Sequence, residues 1–251
     1  MLRRVIPCLL LSSGGLYKTR RFKERKYVGD PINAIRIFNE KEVDELTVLD
    51  IDASRAGVSP DFALIEQFAA ECFMPLCYGG GIRHRADAER VFALGVEKVC
   101  VQSAAIENPK LLTQIASRWG SQALVVSVDV KRDLLKRPGL YHAARGKRIA
   151  LDWRTLIAHA VELGAGEILF GAVDRDGTQQ GYDLGLVREA AALCSVPLVA
   201  VGGAGSLMDL RRAADAGASA LAAGALFVFH GPHRAVLISY PGYQSLGRVF
   251  G

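Results

Sequence analysis

The sequence predicts an α/β fold, one closed (β/α)8 barrel, from three observations. Short β-branched or leucine-rich runs alternate with segments of helical period along the chain, the pattern of a parallel sheet with helical crossovers. There are eight such runs, at about 4–11, 45–50, 75–78, 98–102, 123–130, 167–173, 197–201 and 220–223, and eight strands close such a sheet. The pattern is also stated twice. Tyr78-Gly79-Gly80-Gly81-Ile82 is answered by Val201-Gly202-Gly203-Ala204-Gly205, and Leu49-Asp50-Ile51-Asp52-Ala53-Ser54 by Val173-Asp174-Arg175-Asp176-Gly177-Thr178. The spacing is roughly 120 residues, so the repeat is half a barrel, about 1–120 and 121–230, followed by a tail at 231–251. A chain of 251 residues is the usual size of one such TIM barrel, and it is read as a single domain.

Strand one, Val5-Ile6-Pro7-Cys8-Leu9-Leu10-Leu11, leads into an eighteen-residue connection. Within it Lys18-Thr19-Arg20-Arg21-Phe22-Lys23-Glu24-Arg25-Lys26 sets six cations around one aromatic and one acid. A loop that long can arch over the barrel mouth as a lid, and its charge suits a polyanionic ligand. Asp30-Pro31, Ser59-Pro60 and Asn108-Pro109 each put an N-cap side chain before a proline at the first helical position. They start helices at about 31–41, 60–72 and 109–118; others follow at about 84–94, 152–163, 183–193 and 206–216. Their apolar faces repeat at three and four, as in Phe62, Ile65, Phe68 and Ala69. Tyr141 to Arg148, with Gly139 before them, read as a small hairpin after strand five. The last helix is poorly marked. Phe227 to His233 run into a tail with Pro241, Gly242 and Gly247, which supports a short helix near 233–239 and leaves Ser239 to Gly251 loosely ordered or docked on a partner.

Composition narrows the function classes. The five cysteines, Cys8, Cys72, Cys77, Cys100 and Cys194, form no CxxC and read as buried thiols of a reducing cytoplasm. The apolar run in Met1 to Pro7 is too short for a secretory signal. The longest apolar stretch, Ala218 to Phe229, holds Gly224 and cannot span a bilayer, so no membrane insertion is expected. Net charge is +5. No nucleic-acid module accompanies the basic loop, which favours a phosphorylated small molecule over nucleic acid. His230 and His233 lack companions for a metal, and His84, His142 and His159 read as surface or helix residues, so neither metal nor cofactor is expected.

The reactive face of such a barrel is the C-terminal end of its strands. There Gly79-Gly80-Gly81 and Gly202-Gly203-Ala204-Gly205 let backbone N–H groups approach an anion, unless they only make tight turns. Gln102-Ser103 and Gly224-Ala225 end the neighbouring strands. Two such cradles suit a ligand with phosphate groups at opposite ends, or one spanning a diphosphate and a distant anion. Strand five ends in Asp129; the matching position of the first half is Leu10.

In order along the chain, Ile6-Pro7-Cys8-Leu9, Gly29-Asp30-Pro31, Asp44-Glu45-Leu46, Gly79-Gly80-Gly81-Ile82, Val128-Asp129-Val130-Lys131-Arg132, Asp174-Arg175-Asp176-Gly177-Thr178 and Gly202-Gly203-Ala204-Gly205 resemble the cyclase subunit of imidazole glycerol phosphate synthase, the HisF family. The resemblance covers residues 1 to about 230. It implies ammonia delivered through the barrel from a HisH-like glutaminase subunit on the N-terminal face. It also implies a gate of Arg4, Glu45, Lys98 and Glu167 at the barrel floor, with Glu97 on the docking surface. Carried over residue by residue, it makes Asp129 catalytic and Lys18, Asp50, Gly80, Gly81, Ser103, Asp176, Gly202, Gly203, Gly224 and Ala225 ligand-binding.

The departures carry as much information. The family works with two aspartates, and Leu10 replaces one of them; losing a positioned acid–base group costs about 10²–10⁴-fold. Positions that grip the substrate are altered at Gly171 and Val201. Cys8-Leu9-Leu10-Leu11, Gly14-Gly15-Leu16-Tyr17-Lys18-Thr19 and Phe227 to Ile238 look like the HisF-like proteins of glycosyl amidation, the WbuZ type of surface-polysaccharide and O-antigen synthesis. That branch implies ammonia converting the acetamido group of a nucleotide sugar into an acetamidino group, with an ATP-dependent amidotransferase as a further partner. The rival readings are the histidine-pathway cyclase itself and a non-catalytic scaffold for the glutaminase and the amidotransferase.

Overall fold

Eight parallel strands form a closed ring in the computed structural model, which describes residues 3–231 and 233–251. They are β1 (Arg4–Ser12), β2 (Leu46–Asp50), β3 (Leu76–Gly79), β4 (Lys98–Val101), β5 (Leu124–Arg132), β6 (Glu167–Ala172), β7 (Leu198–Val201) and β8 (Ala220–Ala223). Each pairs with the next, and β8 returns to β1. Strand β1 meets β8 through Arg4 to Pro7 but meets β2 through Cys8 to Leu11. This offset is the stagger a closed barrel requires. The expected fold class and all eight expected strands are present.

The surrounding helices are α1 (Pro31–Glu40), α2 (Phe62–Glu71), α3 (Arg85–Ala93), α4 (Lys110–Trp119), α5 (Trp153–Glu162), α6 (Leu184–Leu193), α7 (Leu207–Asp215) and α8 (Tyr243–Phe250). Asp30 caps α1 as expected, accepting from Asn33 N at 2.9 Å ahead of Pro31. Two other expected caps are corrected. Helix α2 starts beyond Ser59-Pro60, because Asp61 supplies the cap, accepting from Leu64 N at 3.1 Å. Asn108 closes a short helix, Ser103–Glu107, and Pro109 takes the cap position of α4 without a side-chain bond.

Alternation along the strands separates two cores. In β1, Val5, Leu9 and Leu11 pack outward with the helices, whereas Ile6, Cys8 and Leu10 face the barrel interior. The interior is lined by small and medium side chains, among them Cys77, Cys100, Val125, Val199, Ala220 and Ala222. Three of the five cysteines are buried there; Cys72 and Cys194 are only half-buried, which corrects the expectation for those two.

Other corrections concern the insertions. Much of the connection after β1 is a hairpin. Gly15–Lys18 pairs with β1 and with Lys26–Gly29, so only Thr19 to Arg25 remain to arch over the mouth. The hairpin after β5 forms as expected, from Pro138–His142 and Lys147–Arg148, and also extends β5. His142 within it is buried, not exposed; its Nε2 lies 3.2 Å from Glu107, and burial pulls its pKa down. No helix forms at 233–239, where Ala235–Val236 pairs with Phe229–His230; Pro232, part of that expectation, lies outside the described residues, as do Met1 and Leu2. The tail packs on its own barrel. Leu246 of α8 is buried, Arg211 Nη1 donates to Val249 O at 2.9 Å, and Tyr240 OH donates to Val5 O at 2.9 Å. Gly247 hid this helix by lowering its propensity, while Gly242 stands at its N-cap. Among the described residues no helix is long and apolar enough to cross a membrane.

Truncating the anchor of α8 tests this docking. Leu246→Ala should lower stability by about 2–3 kcal/mol, read by chemical denaturation, with faster amide exchange across residues 240–250.

Candidate functional site

The two ends of the barrel interior carry the charged side chains. At the floor, Arg4 opens β1, Lys98 opens β4, Glu167 opens β6, and Glu45 immediately precedes β2. Arg4 bonds Glu45 at 2.6 Å and also bonds Glu167. Lys98 bonds Glu45 at 2.8 Å and Glu167 at 3.1 Å. The four therefore form one closed ring of alternating sign. Glu45 and Glu167 are buried, and each faces two cations, which makes their burial tolerable. Glu97 is exposed beside the ring, where its carboxylate accepts from Leu76 N at 2.7 Å.

At the other end a cavity of about 190 Å³ opens among the strand ends. Asp129, Lys18, Asp50, Gly80, Ser103, Asp176, Gly202, Gly203, Gly224 and Ala225 all line it; Gly81 does not. Its N–H instead donates to Ser54 Oγ at 3.0 Å. The two glycine turns are needed for backbone packing as well as for the wall. A Cβ on Gly80 or Gly203, both in the left-handed region, would run into the backbone of Asp50 or of Gly181.

The carboxylates of the mouth have different commitments. Asp50 accepts from Asp52 N at 2.9 Å and Ala53 N at 3.0 Å, fixing the short helix Ala53–Ala56. Asp176 holds the arch, accepting from Thr19 Oγ1 at 2.6 Å and from Phe22 N at 3.3 Å. Removal from water raises the Asp176 pKa. Asp129 is buried, and one of its oxygens accepts from Gln102 Nε2 at 2.7 Å. The other lies against Gly171, where any Cβ would collide with it. Burial pushes the Asp129 pKa up from 3.8 to about 7. Leu10, Leu49 and Val201 give the wall beside it an apolar character.

Lys18 is the buried cation of the mouth. Its ammonium donates to Cys8 O and lies so close to Gly224 that a Cβ there would strike it. Burial lowers its pKa, and no carboxylate among the described residues pairs with it. A ligand anion would supply the missing charge.

Sequence reasoning missed several contributors. Gln102 joins two structures, donating to Asp129 while its Oε1 accepts from Ala143 N of the hairpin at 2.8 Å. Arg25 forks onto Asp52 at 2.7 and 3.1 Å and reaches Ser12 Oγ at 2.8 Å. Phe22 closes the arch against Tyr141, ring edge to ring face at 5.9 Å. These roles depend on insertions folding back over the mouth; an aromatic inside a basic loop was the one local signal.

Asp129 makes stability depend on pH. A carboxylate whose folded pKa is raised favours folding below its unfolded pKa and loses that contribution as pH rises through the folded value. Stability should fall by a few kcal/mol between pH 4 and pH 7 from this group, and Asp129→Asn should flatten that fall in urea titrations.

The sequence is similar to known proteins over nearly its whole length. Residues 4–232 match the family described as "Histidine biosynthesis protein". The chain is 52% identical over 248 residues to the "Putative imidazole glycerol phosphate synthase subunit hisF2" of Pseudomonas aeruginosa, covering 97% of this chain and 98% of that one. It is 49% identical over 249 residues to the "Putative imidazole glycerol phosphate synthase subunit HisF" of Leptospira interrogans, covering 98% of both. With the "Imidazole glycerol phosphate synthase subunit HisF" of Leifsonia xyli the identity is 42% over 229 residues, 89% of each.

Proposed function

The chain belongs to the histidine biosynthesis protein family, among the relatives of imidazole glycerol phosphate synthase subunit HisF, and from that premise we propose that it is the ammonia-receiving barrel of a glutamine-dependent amidotransferase whose acceptor is a nucleotide-linked acetamido sugar. The observation that carries this reading is a mouth in which, among the described residues, Asp129 has no second carboxylate on the opposite wall. Asp129 is oriented by Gln102, Leu10 occupies the wall where ring closure needs a partner acid, and Asp50 and Asp176 are engaged in holding backbone.

In this reading a glutaminase docks on the N-terminal face and releases ammonia at the ring of Arg4, Glu45, Lys98 and Glu167. Ammonia is small and neutral enough to pass an interior lined by Cys8, Cys77, Cys100, Ala220 and Ala222. Lys18 with the Gly202-Gly203 and Gly224-Ala225 turns holds one phosphate of the ligand. The Gly80 turn and Ser103 face its other end. An amide carbonyl is a weak electrophile, so an ATP-dependent partner first converts its oxygen into a leaving group. Ammonia then attacks that carbon, the activated oxygen leaves, and Asp129 accepts the proton the new C–N bond sheds. A base with a pKa of about 7 is well matched to that transfer. The reaction runs in a cytoplasmic setting and serves surface-polysaccharide synthesis.

The second reading is the histidine-pathway reaction of imidazole glycerol phosphate synthase. The names of the relatives back it more directly than they back sugar amidation. It requires Asp129 to manage ring closure without a second carboxylate.

One substrate separates the two. The chain is mixed with the formimino-aminoimidazole-carboxamide ribonucleotide precursor and ammonium salt, and imidazole glycerol phosphate is followed. The amidation reading expects turnover about 10²–10⁴-fold below that of the Leu10→Asp variant. Equal turnover by the two chains would transfer the conclusion to the histidine pathway.

A further inference from the structure

The hairpin after β5 carries its turn well past the mouth. Asp133 is four residues beyond Asp129, roughly 13 Å along the strand at ~3.3 Å per residue. At that tip Leu134 is 100% exposed and Leu135 is 71% exposed. These leucines do not sit on a slack loop. The Asp133 carboxylate accepts from Leu135 N and Arg137 N, both at 2.9 Å. It also pairs with Arg137 at 2.9 Å and Arg148 at 3.2 Å. Arg132 Nη1 donates to Lys136 O at 2.9 Å, and Lys136 adopts a left-handed φ of 63°. The turn is fixed in a shape that holds two apolar side chains out into water.

The charge around the tip is one-sided. Residues 131–148 contain seven cations and one acid, and residues 18–26 contain six cations and one acid. The whole chain is only +5, so the rest of the molecule is net acidic and the excess positive charge gathers at the C-terminal end of the barrel. Several of these cations are neutralised within the fold: Arg25, Arg132, Arg137, Arg145 and Arg148 each pair with a carboxylate. Arg20, Arg21, Lys23, Lys131, Lys136 and Lys147 pair with none among the described residues.

We infer that this end of the barrel attaches to an anionic lipid surface, with Leu134 and Leu135 entering the headgroup layer and the uncompensated cations flanking them. Two considerations select this occupant. A second copy would bring two basic rims together against their mutual repulsion. A specific protein interface needs about 800 Å² from each side, far more than a convex two-residue tip offers, whereas a lipid headgroup layer accepts such a tip and gains from each nearby cation. Attachment of this kind needs no spanning helix. It leaves the mouth below the tip open at the side, and it holds whichever acceptor the barrel serves.

Sedimentation with vesicles tests it. Vesicles of phosphatidylglycerol and phosphatidylethanolamine are compared with vesicles of phosphatidylcholine at about 0.1 M salt, where the Debye length is still ~10 Å. The chain should sediment with the anionic vesicles and stay in solution with the neutral ones. L134S/L135S leaves every charge in place and should lower partitioning roughly ten-fold or more, with an unchanged melting temperature. Failure to bind anionic vesicles would overturn the inference. So would equal binding by L134S/L135S, which would reduce the effect to adsorption of a basic protein. A concentration-dependent rise in solution mass that L134S/L135S abolishes would assign the tip to a second copy instead.

Discussion

Glu45 and Glu167 are buried side by side at the barrel floor, and the structure tolerates them only because Arg4 and Lys98 close a ring of alternating charge. The ring gathers residues from β1, β4 and β6 and from the residue preceding β2, so it forms only when the barrel itself is closed. It is not the cheapest floor available. Well-packed apolar residues would serve stability as well or better, since desolvating four charges costs about what their attraction returns. A polar floor beneath an interior of small side chains is what passage of a small polar molecule requires, and the amidotransferase reading builds on that.

The opposite end obeys a related constraint. The two insertions that cover the mouth are both held by aspartates at strand ends. Asp176 pins the arch through Thr19 and Phe22, and Asp129 is tied through Gln102 to Ala143 of the hairpin. Asp176 bonds the arch directly, whereas Asp129 reaches the hairpin only through Gln102, which leaves its second oxygen turned toward Gly171. Gly171 gives that oxygen space, and Leu10, Leu49 and Val201 line the wall beside it. Burial raises its pKa toward neutrality, as the proposed proton transfer needs, and Leu10 stands where a second acid would face it.

Much of this was legible in the sequence for physical reasons. Alternation of Val, Leu and Ile with helical period locates strands and helices wherever burial is regular, and the half-chain repeat supplies the closure. The four ring residues were named through the family resemblance, and their places at or just before strand starts agree with it. Legibility failed where a residue's role depends on a segment folding back from elsewhere. Asp61 outcompeted Ser59 for a cap by standing immediately before the helix, two residues nearer than Ser59. The arch after β1 is shorter than its connection because Leu16 and Val28 bury one face of a hairpin. Helix α8 was hidden by Gly247, and Gln102 showed nothing locally of its two hydrogen bonds.

The most direct test of this account is the titration of the Asp129 carboxyl itself, followed by carbon NMR on chain labelled at aspartate, with Asp129→Asn assigning the signal. The account predicts a midpoint of about 7, set by burial beside an apolar wall. A midpoint near the ordinary 3.8 would mean that the carboxylate is solvated or paired in the mouth, and would contradict the proposed role of Asp129 as proton acceptor there.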